Sequence, residues 1–343
     1  MAIHEDARPH PTAAKIVFGG GSIGNLKGMI AEADVDALLA EASRSGIVRF
    51  DTAPLYGFGL SEVRLGHHLR GLPREQFSIS TKVGRYYLPA WGEPADRGNW
   101  HSPLARRVIV DYSRDGVMRS LEQSFSRLGV DRIDVVLVHD IDRRNQGDAF
   151  EARYHQAVDV ALPLLGELKA AGHIDAFGLG ISEVDVARDF LRDADIDVLM
   201  LAGRVSLLDH TDALEVLDLA RERNTAVMAA SVFNSGFLAD IEGAGTFDYD
   251  RPSDAIRLRC RAIRDVVAQF GVPIQAAALQ FPLRFAAVES IVVGMSRSGQ
   301  VASNLGWADW PIPEEMWERL CERGLTATAG RPHPPARDAA RSA

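Results

Sequence analysis

Eight short, largely apolar runs recur along the chain: KIVFG from Lys15, IVRFD from Ile47, FSISTK from Phe77, IDVVLVH from Ile133, AFGLGIS from Ala176, DVLMLAG from Asp197, TAVMAAS from Thr225 and SIVVGMS from Ser290. Several are apolar at nearly every position rather than at alternate ones, the pattern of strands covered on both faces. Between the runs the period lengthens to that of a helix. Ile256, Cys260, Ile263, Val267 and Phe270 fall on one face, with Ser253 placed to cap the start and Gly271 just past the end. Val117, Leu121, Ser124 or Phe125, and Leu128 form a second stripe closed by Gly129, and ALPLLGELKAAG stops at Gly172 in the same way.

Strands alternating with helices predict parallel strands joined by crossover helices, and eight such units predict a (β/α)8 TIM barrel. A doubly wound open sheet is the other arrangement with this alternation. Gly19, Gly21 and Gly24 have the Gly-x-Gly-x-x-Gly spacing of the dinucleotide fold, but SIGNLKG is a poor start for the helix that fold requires. A single barrel domain is therefore expected over residues 15–325. Residues 1–14 and 326–343, rich in proline, alanine and charge with no apolar period, are expected to be loose tails.

Composition removes several function classes. The 47 acidic residues and 38 Lys and Arg are dispersed, giving a net charge of −9 and no basic patch for a nucleic acid. Cys260 and Cys321 are too few for a disulfide framework or a four-ligand zinc site, which fits a reducing cytoplasm. The N-terminal segment has acids and prolines where a signal peptide needs a basic start and an apolar core. No apolar run reaches the roughly 18 residues of a membrane span. A cytoplasmic enzyme with no membrane partner is expected, and the oligomeric state is left open.

In a barrel the C-terminal ends of all strands surround one mouth. Those ends carry Asp51, Lys82, His139 and Ser182, then Gly203, Ser231 and Ser296, with Gly19 to Gly21 at the first strand and Tyr56 just beyond Asp51. A phenol titrates near ~10 in isolation, and a neighbouring ammonium favours its anion, so Lys82 beside Tyr56 would make a proton carrier. Asp51 would hold Lys82, and His139 would polarise a substrate oxygen or relay a proton. Alcohol and carbonyl interconversion suits such a group. His139, Asp140 and Asp142 in VHDID suggest a metal cluster at first sight. Neighbours on a strand face opposite ways, however, and no second histidine stands at ligand spacing, so no metal is expected. His67 and His68 read as residues of a surface helix.

The blocks FDTAPLYGFGLSEVRLG, STKVGR, SLEQSFSRLGVDRIDVVLVHDID and SIVVGMSRSGQVASNL, in this order, resemble the aldo-keto reductase superfamily over nearly the whole chain between the tails. STKVGRYYLP, VHDID, AGRVSLLDH and FNSGFLA resemble its branch of D-threo-aldose, L-fucose, L-galactose and pyridoxal 4-dehydrogenases. The resemblance implies a nicotinamide cofactor, NAD or NADP, lying across the C-terminal mouth. It places Asp51, Tyr56, Lys82 and His139 on the family's catalytic tetrad. It also implies cofactor contacts from Gly20, Gly21, Ser182, Ser231, Gly294, Ser296, Arg297, Gln300 and Asn304, with GMSRSGQ offering backbone N–H groups and a cation for a phosphate. The chain departs from the family where Ser-Asn usually holds the nicotinamide amide, since Ser182 is followed by Glu183. It departs again where the usual sixth-strand Gln is replaced within LAGRV, and where Ala230 stands for the Tyr on which the ring commonly stacks, with Phe233 the nearest substitute.

The function implied is oxidation of the C1 hydroxyl of an aldose to the lactone, with Tyr56 as general base. Carbonyl reduction and pyridoxal oxidation are alternatives within the same chemistry, and a nicotinamide-binding regulatory module is the alternative of another class. The insertion RYYLPAWGEPADRGNWHSP after the third strand is expected to line a substrate pocket, with Tyr87 and Trp91 beside Tyr56 and His139, and Trp100 and His101 as further candidates.

Overall fold

The computed structural model describes residues 12–92, 98–240, 245–248 and 250–327. Its strands are β1 (Ile16–Gly19), β2 (Arg49–Asp51), β3 (Ser78–Val83), β4 (Arg85–Pro89), β5 (Arg106–Val110), β6 (Val135–His139), β7 (Ala176–Ile181), β8 (Val198–Ala202), β9 (Ala226–Ala230) and β10 (Val288–Gly294). Eight of them close into a parallel barrel in the order β1-β10-β9-β8-β7-β6-β3-β2, which excludes the open doubly wound sheet. All eight apolar runs contribute a barrel strand.

The helices around the barrel are α1 (Glu32–Arg44), α2 (Leu60–Leu69), α3 (Arg114–Leu128), α4 (Arg143–Gln146), α5 (Phe150–Gln156), α6 (Leu162–Ala170), α7 (Val184–Asp193), α8 (Leu214–Glu222), α9 (Asp254–Gln269), α10 (Ile274–Gln280), α11 (Gly299–Ala308) and α12 (Glu314–Glu322). Ser253 caps α9 by accepting from the Ile256 N–H, and Cys260 is buried on its inner face. Gly129 ends α3 in the left-handed conformation. After β1 the chain makes only a short 3-10 turn, Ser22–Gly24, so the three glycines there do not open a dinucleotide-fold helix.

Why the strands lack alternation is visible in the packing. Val136, Val138, Leu199, Leu201, Val227, Ala229, Ile291 and Val293 face the helices in the main core. Val17, Leu137, Val198, Met200, Met228, Ala230 and Val292 form a separate cluster inside the barrel. In these strands both faces are dry, so period 2 survives as two apolar sets instead of an apolar and a polar one. Continuing the inward set upward by two residues reaches His139 from Leu137, and the neighbouring strands deliver Lys82, in register with Leu137, and Asp51, in register with Ser80.

Two features lie outside the sequence reading. The insertion after β3 is organised by an antiparallel hairpin, β4 with β5, in which Tyr87 pairs with Val108. The ordered barrel also reaches slightly into both expected tails. Ala13 is buried, the Thr12 N–H donates to Asp309, and the Ala327 N–H donates to Nε2 of buried His210 at 3.0 Å. The remainder of both tails lies outside the described residues. Among the described residues no helix is long and apolar enough to cross a membrane.

Candidate active site at the barrel mouth

Lys82 and Asp51 are each 1% exposed, deep in the mouth. The Lys82 ammonium donates to both carboxylate oxygens of Asp51 at 2.9 and 2.8 Å and to the Thr52 carbonyl at 2.8 Å. Ser80 Oγ donates to the same carboxylate at 2.7 Å. Gly180 on β7 lies alongside the Lys82 stem, where a Cβ would make an ordinary contact 3.4 Å from Lys82 Cε. Burial pushes the Asp51 carboxyl upward, and the charge and hydrogen bond of Lys82 pull it back.

Tyr56 follows Asp51 on a tight turn made possible by two glycines. Gly57 has φ +63° and a Cβ on it would sit 2.5 Å from the Gly24 carbonyl, so the first and second loops touch backbone to backbone. The half-buried Tyr56 ring is thereby set into the mouth. The Lys82 ammonium lies 4.8 Å from its centroid, the His139 ring meets it edge-on at 5.9 Å, and the Trp100 ring lies 5.7 Å away. The chain just after Trp100 is fixed by main-chain bonds, His101 N–H to Asn25 O and Leu104 N–H to Gly57 O.

His139 ends β6, and its carbonyl accepts from the Tyr112 hydroxyl at 2.7 Å and from Arg85 at 3.4 Å. Burial, with Arg85 and Lys82 nearby, holds its imidazole well below the ordinary histidine range and hence neutral. The expectation that Asp140 faces away from His139 fails. Asp140 is left-handed, φ +53°, which turns its carboxylate back to 3.4 Å from His139 Nε2. Asp142 instead caps α4 and accepts from Ser182 Oγ at 3.1 Å.

The residues named for cofactor binding line the rim unevenly. Gly20 presses on Asp51, whose carbonyl would be 2.6 Å from a Cβ there, whereas a Cβ on Gly21 would meet nothing within 4 Å. Ser231 is left-handed at the end of β9, and Gly294 is exposed at the end of β10. The Ser296 N–H, Ser296 Oγ and Arg297 N–H converge on Gln300 Oε1 at 2.7, 3.3 and 3.2 Å. The Arg297 side chain is exposed and Asn304 is buried on α11. Glu183 turns from the mouth and accepts from the Arg143 and Arg144 N–H groups, at 3.0 and 2.9 Å. Arg204, in the altered sixth-strand end, donates to the Ser182 carbonyl and pairs with Asp209 and Asp248, so it ties three rim loops together. Phe233 packs against the main core.

The structure divides the insertion residues. Tyr87 is buried away from the mouth: its hydroxyl donates to the Pro54 carbonyl, its ring packs on Phe58, and the Arg106 and Arg127 guanidiniums lie over it. Burial pushes its phenol upward. It is a strut beneath the Tyr56 turn rather than a pocket wall. Trp91 is 84% exposed at the far end of β4, and no ring contact joins it to Tyr56. Trp100 is the aromatic residue of the insertion that meets Tyr56. Arg85 and Tyr112, which brace His139 from behind, carry no signal in the sequence, because an Arg after a strand and a Tyr before a helix read as ordinary surface and packing residues.

A closed parallel barrel with phenol, ammonium, carboxylate and imidazole gathered at its mouth defines an α/β-barrel protein with a candidate active site. Comparison with known proteins gives the lineage. The sequence matches the Aldo/keto reductase family over residues 15–323, and the chain belongs to that family. It is 42% identical over 327 residues to pyridoxal 4-dehydrogenase of Microbacterium luteolum, covering 92% of this chain and 95% of that one. It is 38% identical over 320 residues to D-threo-aldose 1-dehydrogenase of a Pseudomonas species, covering 91% and 94%. Among solved structures, a glycerol dehydrogenase from Gluconobacter oxydans superimposes with a TM-score of 0.68 at 20% identity, over 93% of this chain and 95% of that one, a likeness of fold alone. The protein is thus an oxidoreductase of a family whose enzymes use nicotinamide cofactors.

Proposed function

We propose that the protein oxidises the hydroxyl-bearing carbon of a cyclic hemiacetal to the lactone, in the first place C1 of an aldose of the L-fucose or D-threo type. The observation that carries this reading is the buried Lys82–Asp51 pair set 4.8 Å from the Tyr56 ring centre. A cation held there stabilises the Tyr56 phenolate, which takes the proton of the substrate hydroxyl. Asp51 keeps the ammonium in place, and neutral His139 orients the substrate oxygen. A nicotinamide dinucleotide bound across the mouth supplies the acceptor for the hydride. The donors that converge on Gln300 Oε1 fit one of its phosphates, and open Gly21 leaves its path clear. Trp100 offers a flat wall to the substrate ring beside Tyr56.

Pyridoxal is the second reading, favoured by the 42% identical relative. It closes on itself as a cyclic hemiacetal just as an aldose does, so one proton carrier serves both. The free thiols of Cys260 and Cys321 accord with a cytoplasmic setting. Absorbance of the reduced nicotinamide with L-fucose, D-arabinose, L-galactose and pyridoxal, each against NAD and NADP, tests the substrate and cofactor together. Tyr56→Phe is expected to lower kcat by about 10²- to 10⁴-fold, the usual worth of a general base, while dinucleotide affinity stays near that of the wild type. Near-normal turnover in that variant would reject the role of Tyr56.

A further inference from the structure

Asp140 combines three observations that the reaction as drawn does not use. It is a non-glycine residue in the left-handed region directly after the reacting strand end. Its carboxylate is gripped by Arg85 at 3.0 Å, and Arg85 is itself buried. Its other oxygen lies 3.4 Å from His139 Nε2. The unusual backbone is not slack: the Asp140 N–H donates to the Gly180 carbonyl, and the Asp140 carbonyl accepts from Gln146 Nε2. Gln146 also donates to Tyr112, whose hydroxyl donates to the His139 carbonyl. An extended residue at 140 would send its side chain to the opposite face, so the left-handed turn is what brings the carboxylate back to the imidazole.

We propose that Asp140, paired with Arg85, is a positioning residue that keeps the proton of the His139 ring on Nε2. A neutral imidazole carries one N–H and one lone pair. Turned towards a carboxylate, the ring is favoured with its N–H on that side, because the lone pair there would face a negative charge. At 3.4 Å the contact is longer than a good hydrogen bond. It therefore selects the tautomer without consuming the donor, which remains available to a substrate oxygen. The inference rests on His139 being the group that orients that oxygen.

The charged and titratable groups facing this pair come from every neighbouring element. They are Arg85 on β4, Lys82 on β3 with Asp51 on β2 behind it, Tyr56 after β2, Tyr112 after β5, and Asp142 in the same loop. Arg85 and Lys82 oppose an imidazolium and Asp140 favours one. Removing Arg85 and removing the Asp140 charge should thus displace the His139 titration in opposite directions. A residue that merely fills space would not produce that pair of signs.

The test is long-range ¹H–¹⁵N spectroscopy of the full chain labelled at histidine nitrogen, with the His139 signals assigned by their loss in His139→Gln. Wild type is expected to hold the Nε2–H form through neutral pH. Asp140→Asn, whose side chain tolerates the same backbone, is expected to give a mixture of tautomers and a titration moved to lower pH. Its kcat should fall on the order of tenfold, well short of the loss that a wrong tautomer causes in hydrolase triads. Arg85→Met should move the titration up, and Arg85→Lys should restore wild-type behaviour. Asp140→Gly, which accepts the left-handed backbone without strain, is the second variant should the Asn form fold poorly. A pure Nε2–H signal in the carboxylate-free variants, or titrations displaced in the same direction, would overturn the proposal. Because the spectra are read without substrate or dinucleotide, they stand apart from any failure of the Tyr56 assignment.

Discussion

Lys82 and His139 show opposite solutions to burying a titratable side chain. Lys82 is matched by partners, Asp51 and the Thr52 carbonyl, that accept from its ammonium. Lys82→Met would strand the Asp51 carboxylate in the same dry site. A loss of about 3–5 kcal/mol is expected, the usual cost of breaking a buried pair from one side, read from denaturant unfolding. Adding Asp51→Asn should recover much of it. His139 instead stays neutral. Its folded form titrates below the ordinary value of 6.5, so on acidification the unfolded chain takes the proton first. The protein therefore has its full His139 contribution above that value and loses it as pH falls, by at most about 1.4 kcal/mol per pH unit. Raised Asp51 and Asp140 act in the other direction as they take up protons. The measurement is consequently the difference in unfolding free energy between wild type and His139→Gln across the acid range. A difference that does not change with pH would contradict the assigned cause.

At the level of elements, the rim is held by side chains that cross from one loop to the next. Glu183 supplements the Asp142 cap of α4 by accepting from the Arg143 and Arg144 N–H groups. Glu183→Ala is expected to cost about 1 kcal/mol locally, as lost caps do, and to speed amide exchange at residues 143 and 144 several-fold while exchange in β6 is unchanged. This element could not be read from the sequence. A Glu in place of the family's Asn marks a departure, but its destination is a different loop, some forty residues earlier in the chain. The hairpin was hidden for a related reason: RYYLP and RRVIV are separated by a long polar stretch, and the pairing that makes them strands is with each other rather than with the barrel. By contrast, the cap at Ser253 and the stop at Gly129 rest on local chemistry and were legible directly. Tyr87 was misread because an aromatic residue in a long loop looks the same whether it faces a pocket or props the loop from beneath.

For the molecule as a whole, the barrel was legible because several strands are apolar on both sides and the eight runs are interleaved with helical stripes. The position of the reacting groups followed from topology, since strand ends from distant parts of the sequence must meet at one mouth. What did not follow was the arrangement behind that mouth, where Arg85, Tyr112 and Asp140 depend on contacts between elements far apart in the chain. A ligand that binds only the folded barrel raises its stability by about 2.7 kcal/mol at a hundredfold excess over Kd. For a chain of 343 residues, with an unfolding entropy of about 2.1 cal/mol/K per residue, that is a shift in Tm of roughly 4 °C. The dinucleotide the enzyme prefers is expected to give the larger shift at equal concentration. Arg297→Ala should reduce the shift with NADP more than with NAD if its exposed guanidinium meets the extra phosphate. Equal reductions would remove Arg297 from that role.

The depth of Lys82 has a practical side. The chain carries just four lysines, Lys15, Lys27, Lys82 and Lys169. Amine-directed labels or immobilisation reagents applied to the native protein would find Lys15, Lys27 and Lys169 at the surface, while the amine of Lys82 is shut in beneath the mouth. Tethering through Lys15 or Lys169 should spare turnover, and acylation at position 82, read by peptide mass mapping, would report that the barrel itself had come apart.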